Sequence, residues 1–267
     1  MEFLIGVLIF IFGAVIGSFL NVVILRLPNG RSLGGRSACA ICGHTLGPKD
    51  LFPFFSYIFL GGKCRYCGKK ISPRYFIIET LTAVLFLVAY LFLIPATAVS
   101  VVKLVAFWVI LSTLVCVFVI DLEHFLILDE VIFPMSAIIL FLNLVTDLLS
   151  KHSVWNLGSA FVSGIIGAVA AVLPFFILWY VSRGKWMGFG DVKLAIFLGL
   201  ALGWPNVLVG LMLAIFLGGI ISAFLLALTS SNLKTKLPFG TFLAVGSAVA
   251  LFYGPGILHW YLSILGI

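Results

Sequence analysis

Long apolar stretches alternate with short polar turns along almost the whole chain. Stretches of spanning length occur near residues 3–25, 76–94, 101–120, 131–149, 158–181, 191–204, 206–228 and 239–264. A helix needs about 20 residues to cross the hydrocarbon of a bilayer. The sixth stretch is shorter, and is broken by Gly199, Gly203, Trp204 and Pro205. Open strands would leave backbone N–H and C=O groups unpaired in lipid, so the pattern predicts helices. The expected fold class is an all-α polytopic membrane protein with about eight transmembrane helices and a small loop domain. The first apolar run starts at Phe3, behind Glu2, with no basic residue before it and no small-x-small cleavage pattern after it. It predicts a retained span and not a removed signal peptide.

Composition removes the soluble alternative. The chain is 63% apolar and 9% charged, whereas soluble domains sit near half apolar and a quarter charged. The net charge of +7 does not imply a nucleic-acid partner, because the basic residues crowd into a few loops, as orientation signals do. Arg26 to Arg74 holds nine Lys/Arg against one acid, Asp50. That segment is expected to be cytosolic. Alternation then places Arg183, Lys185, Lys234 and Lys236 on the same side, in agreement, with Lys103 and Lys151 as exceptions. The organisation expected is a first transmembrane helix over 1–25, a cytosolic loop domain over 26–75 and a membrane bundle over 76–267, with both termini outside.

The loop carries Cys39-Ala-Ile-Cys42-Gly43 and Cys64-Arg-Tyr-Cys67-Gly68, with twenty-one residues between the pairs. Two such knuckles can surround one tetrahedral Zn²⁺ with four thiolates, the glycine allowing the tight turn beneath the metal. Disulfides are the rival reading, opposed by the reducing cytosol. Four thiolates leave no open coordination position, so the expected zinc is structural: a short loop has little core and needs a staple. His44 is read as a surface residue and Cys116 as packing within a span.

Ionisable groups in spanning segments are expensive and are functional candidates by default. Asp121 ends the third stretch in Val119-Ile120-Asp121-Leu122-Glu123, and Asp191 opens the sixth in Met187-Gly188-Phe189-Gly190-Asp191-Val192-Lys193. Charge counting puts both at the cytosolic boundary. Two carboxylates at equal depth can share a proton, one acting on water and the other polarising a carbonyl. Gly188 and Gly190 would let a substrate backbone approach closely. The bland reading is that each Asp is a solvated or capping residue at a helix end, and Asp191 fits the helix dipole well. Glu123, Asp129 and Glu130 share the polar turn after Asp121, and Lys193 would pair with an acid or lie among headgroups.

Five segments in order resemble the type IV prepilin peptidases, which are GxGD-type intramembrane aspartyl proteases. They are Gly17-Ser-Phe-Leu-Asn-Val-Val running on to Arg26-Leu27-Pro28, the twin CxxC loop, Ser72-Pro73-Arg74-Tyr75 ending at Glu79, Gly188-Phe189-Gly190-Asp191, and Lys236-Leu-Pro-Phe-Gly240. The resemblance covers nearly the whole chain. It implies cleavage of the basic leader of type IV prepilins or pseudopilins at the inner membrane, with Asp121 and Asp191 as the catalytic pair. It also implies N-methylation of the new N-terminus with S-adenosylmethionine as donor, in the region of the cysteine loop. Glu123, Asp129 and Glu130 are then candidate partners of the basic leader. The chain departs from the family pattern in Leu128-Asp129, where Pro-Asp is common, and in Thr241, where a proline often follows Gly240. Two other classes compete: a proton-coupled transporter, opposed by the position of both Asp at one face, and a non-enzymatic scaffold of a pilus or secretion machine.

Overall fold

The computed structural model describes residues 2–39, 41–150, 155–156, 158–228 and 237–266. Lys151, Lys234 and Lys236, which entered the orientation reading, lie outside the described residues. The helices are α1 (Glu2–Arg26), α2 (Phe55–Phe59), α3 (Arg74–Leu93), α4 (Ala98–His124), α5 (Asp129–Leu149), α6 (Ala160–Ser182), α7 (Phe189–Leu202), α8 (Asn206–Leu228) and α9 (Phe239–Ile264). Among the described residues the only β pairing is two isolated bridges, Ala38 with Thr45 and Lys63 with Lys70. The protein is therefore all-α. Seven helices, α1, α3, α4, α5, α6, α8 and α9, are long and apolar enough to cross a membrane. The sixth apolar stretch becomes α7, whose 14 residues reach roughly 21 Å. Large apolar side chains such as Phe141, Phe216, Ile220 and Phe224 stand exposed, which suits a hydrocarbon solvent and not water.

The chain divides into two compact units, Met1–Ile94 and Pro95–Ile267. In the first, α1 lies against α3. Gly17 permits the approach: a Cβ there would sit 2.7 Å from the Glu79 Cα. The polar loop between these helices is organised from its start by Arg26. Its guanidinium donates to the carbonyls of Leu33 (3.1 Å), Arg36 (3.2 Å) and Ser32 (3.3 Å).

In the second unit α7 is the innermost element. Leu194, Ala195, Phe197 and Leu198 are all 0% exposed, and α5, α6, α8 and α9 pack around them. The contact with α6 is backbone on backbone, since a Cβ on Gly199 would lie 2.2 Å from the Ala168 Cα. Small residues at such crossings are the usual route to close helix packing in lipid. A helix that stops inside a membrane bundle leaves carbonyls without partners unless protein supplies them. Here Asn143 Nδ2 donates to the Leu200 carbonyl (3.0 Å) and the Ser163 hydroxyl to the Trp204 carbonyl (3.0 Å), while the Trp204 N–H donates to the Ser163 carbonyl (3.0 Å). Side chains of α5 and α6 thus meet the Leu200 and Trp204 carbonyls where α7 ends.

Candidate active site and cysteine cluster

Three helix ends meet at the carboxylates of the second unit. Asp121 lies in the last turn of α4, which closes with Phe125 in the left-handed region, its N–H donating to the Asp121 carbonyl (2.9 Å). Asp121 is 6% exposed. Its Oδ2 accepts the Thr241 N–H at 2.9 Å, and the Gly240 N–H also acts on it. Both donors belong to the first turn of α9, where backbone N–H groups have no partner within the helix. Asp121 therefore caps a helix other than its own. Gly240 is required for the fit, because a Cβ there would stand 2.8 Å from Asp121 Oδ2.

Asp191 occupies the first turn of α7, behind Gly188 as the N-cap residue. It is half-buried and lies within range of the Asp121 charge. Ile127, in the turn between α4 and α5, fills the corner: a Cβ on Gly190 would lie 3.0 Å from the Ile127 Cβ, and one on Gly240 would lie 3.3 Å from Ile127 Cδ1. Residues seventy positions apart in sequence, Asp121 and Asp191, are thus brought to one corner, each at the positive end of a helix dipole.

The supporting residues divide. Lys193 Nζ donates to both oxygens of Asp129 at 2.7 Å and lies 5.4 Å from the centre of the Phe189 ring, linking the starts of α5 and α7. Glu123 and Glu130 are exposed, as is Gly188, while Gly190 is half-buried. Asp147, near the end of α5, accepts the Ala160 and Phe161 N–H groups (2.8 Å each) at the start of α6. Sequence reasoning missed Thr241 and Ile127 as parts of the corner.

In the first unit the four loop cysteines converge. The sulfurs of Cys39, Cys42, Cys64 and Cys67 all lie within 4.8 Å of one another. The two knuckles repeat one hydrogen-bond pattern. Cys39 N–H donates to the His44 carbonyl and Gly43 N–H to the Cys39 carbonyl; Cys64 N–H donates to the Lys69 carbonyl and Gly68 N–H to the Cys64 carbonyl, all at 2.9 Å. Gly43 (φ 71°) and Gly68 (φ 68°) take the left-handed conformation that this turn demands. The backbone N–H groups of Cys42 and Ile41 pull the Cys39 thiol down to about 6, while the neighbouring sulfurs help push Cys42 up to about 11, so the pair sheds one proton well before the other. A tetrahedron with Zn–S near 2.3 Å has sulfurs about 3.8 Å apart, so the cluster suits one soft divalent ion with little adjustment. His44 stacks on Tyr66 of the other knuckle, ring centres 3.7 Å apart. Asp50 accepts from Arg65 (2.6 Å) and Tyr66 (3.0 Å), and the Arg65 guanidinium holds its carboxyl below the usual range.

Residues 11–93 match the model of the bacterial peptidase A24 N-terminal domain, and residues 108–223 match that of the type IV leader peptidase family. A protein of Aeromonas salmonicida (strain A449) named prepilin leader peptidase/N-methyltransferase is 34% identical, with 97% of this chain and 94% of that one aligned. Proteins of the same name from Pseudomonas aeruginosa and Bacillus subtilis (strain 168) are each 30% identical. They align over 95% and 96% of this chain, and over 92% and 98% of their own lengths. No solved structure matches. With relatives of this similarity over nearly its full length, the chain belongs to the type IV leader peptidase family.

Proposed function

We propose that the protein is a bifunctional membrane enzyme. It cleaves the leader of type IV prepilins or pseudopilins with Asp121 and Asp191, and N-methylates the residue so exposed, with S-adenosylmethionine as methyl-donor substrate. The observation that carries the peptidase reading is the convergence of Asp121 and Asp191 at one corner of the second unit. Two carboxylates that feel each other's charge hold one proton between them more readily than none. The ionised member takes a proton from water as the water oxygen attacks the scissile carbonyl. The protonated member donates to that carbonyl oxygen, and the amine leaves with a proton returned from the pair. The N–H groups of Gly240 and Thr241 orient Asp121, and Gly188 and Gly190 leave the approach to Asp191 unobstructed. Glu123 and Glu130, exposed in the turn after Asp121, are the acids proposed to meet a basic leader.

The basic loop supports an orientation with that loop and both aspartates at the cytosolic face of the bacterial inner membrane and both termini outside. The cysteine cluster would hold one Zn²⁺ through Cys39, Cys42, Cys64 and Cys67, closed to any further ligand and so structural. Methyl transfer belongs in this reading to the region of residues 26–75 and the helices beside it.

The deciding experiment is cleavage of a model prepilin by purified protein in liposomes. Asp121→Asn and Asp191→Asn each should lower the rate by about 100-fold or more with helical content unchanged. Asn can still accept the Thr241 N–H, so loss of cleavage would not reflect loss of the cap. Normal turnover by either variant removes that residue from the pair.

A further inference from the structure

The first unit contains a cavity of about 580 Å³ that the leader-cleaving corner does not use. Two acceptors on its wall are only partly used by the fold. Asn21, 2% exposed, donates from Nδ2 to the Tyr75 carbonyl at 3.1 Å. A carbonyl only accepts, so the amide orientation is fixed and Oδ1 is the atom that remains; it is buried and has no partner. An orphaned buried acceptor is costly and calls for a donor. Glu79 also lines the cavity, 9% exposed. Its Oε2 accepts the Phe54 N–H at 2.9 Å, and the Ser18 hydroxyl donates to the same carboxylate. Both are neutral donors, so its negative charge is not met by a cation in contact.

The two acceptors are neighbours by construction. Ser18 and Asn21 lie one turn apart on α1, and Tyr75 and Glu79 one turn apart on α3, so the paired contacts set Asn21 Oδ1 and the Glu79 carboxylate about one turn from each other. Phe54 adds a second sign of a built site. It sits at φ 67°, ψ −55°, a conformation strained for a phenylalanine, and the Glu79 carboxylate holds its N–H there. Its ring stacks on Phe76 (5.1 Å), which stacks on Tyr57 (5.4 Å), forming an aromatic wall suited to a cation.

We propose that Asn21 Oδ1 and Glu79 bind a primary ammonium group in this cavity, and that it is the new N-terminus of the cleaved substrate. The inference rests on the bifunctional reading above. The methyl donor also carries an ammonium, but only the peptide's must lose a proton to react, since an α-amino group titrates near 8. Glu79 takes one proton from the ammonium. The freed nitrogen lone pair attacks the methyl carbon of the sulfonium; the C–N bond forms as the C–S bond breaks, and the electron pair leaves on sulfur as a neutral thioether. The product is a methylammonium, and the Glu79 proton passes to water. The other charged groups at the cavity are Arg26, Asp50, Arg65, Lys70 and Arg74. Of these, Arg26 is occupied by loop carbonyls and Asp50 with Arg65 by each other.

The test uses full-length protein and a synthetic peptide that begins at the cleaved residue, so that methylation and peptide binding are read without cleavage. Asn21→Ala and Glu79→Gln should each weaken binding of the free-amine peptide about tenfold and leave the N-acetylated peptide unaffected. Glu79→Gln should lower methylation about 100-fold, with a residual rate that climbs as pH approaches 8, and Glu79→Asp should restore part of it. Unchanged binding and an unchanged pH profile in Glu79→Gln would overturn the proposal, as would parallel loss of binding of both peptides together with a lowered Tm. Weakened S-adenosylmethionine binding with normal peptide binding would keep the ammonium site but overturn its assignment to the peptide. Failure of wild type to cleave prepilin, with the ammonium selectivity intact, would instead defeat the peptidase reading.

Discussion

At Gly240 a single hydrogen atom decides where a carboxylate can stand. Its replacement by a methyl would put a carbon 2.8 Å from Asp121 Oδ2, and Asp121 has no slack, being bonded to the next N–H along. Gly240→Ala should therefore lower leader cleavage by about 100-fold, the scale of an ångström's misplacement. The same change gains about 0.5–1 kcal/mol of helix propensity at the start of α9, so thermal unfolding should show little loss. A fall in activity and stability together would mean that the helix, and not the carboxylate, had been disturbed. The two aspartates themselves were legible in the sequence, because a charge at the end of an apolar run stands out. The partner of Asp121 was not. Thr241 lies 120 residues away and acts through its backbone N–H, a group that every residue but proline carries and that leaves no trace in composition. That same N–H explains how this chain uses the departure from the Gly-Pro pattern: a proline at 241 would have nothing to donate. Lys193 was readable only as pairing with an acid or lying among headgroups, and its partner Asp129 stands 64 residues away, a pairing that only the fold selects.

Among the elements, the long helices followed directly from apolar length, because lipid penalises any other use of twenty such residues. The short α7 was visible as a broken stretch, but what lets it stop was not, since Asn143 and Ser163 come from other helices. Its packing depends on backbone contact with α6. Gly199→Val would place a branched side chain where the Ala168 Cα stands 2.2 Å from a Cβ position. The expected cost is about 1–3 kcal/mol, read as a lowered Tm in detergent. Because α7 carries Asp191 at its other end, cleavage should fall as well. A variant with unaltered Tm would show that α6 can move aside at no cost.

For the whole molecule, the loop of the first unit has almost no core of its own: Cys64 is its one buried apolar residue among those described. Its order should then follow the metal. Chelation of the purified protein is expected to release one zinc per chain, to make four thiols reactive, and to open residues 27–73 to limited proteolysis. Far-ultraviolet dichroism should barely change, because the membrane helices do not depend on the ion. A loop that stays protected after metal loss would mean that Arg26, Asp50 and the aromatic stacks suffice to order it.

The buried face of α7 has a consequence for the cell's energy supply. A proton relay needs a file of hydrogen-bonding groups or water, and behind Asp191 the fully buried face of this helix is Leu194, Ala195, Phe197 and Leu198, each sealed from solvent. The turn beyond its far end is closed by protein hydrogen bonds. Two acidic groups set into an energised membrane could short-circuit it; here they stop at a hydrocarbon plug. Vesicles carrying the protein should hold an imposed pH difference as long as empty ones do, measured with a trapped dye. A faster decay that disappears in Asp191→Asn would show that the plug conducts.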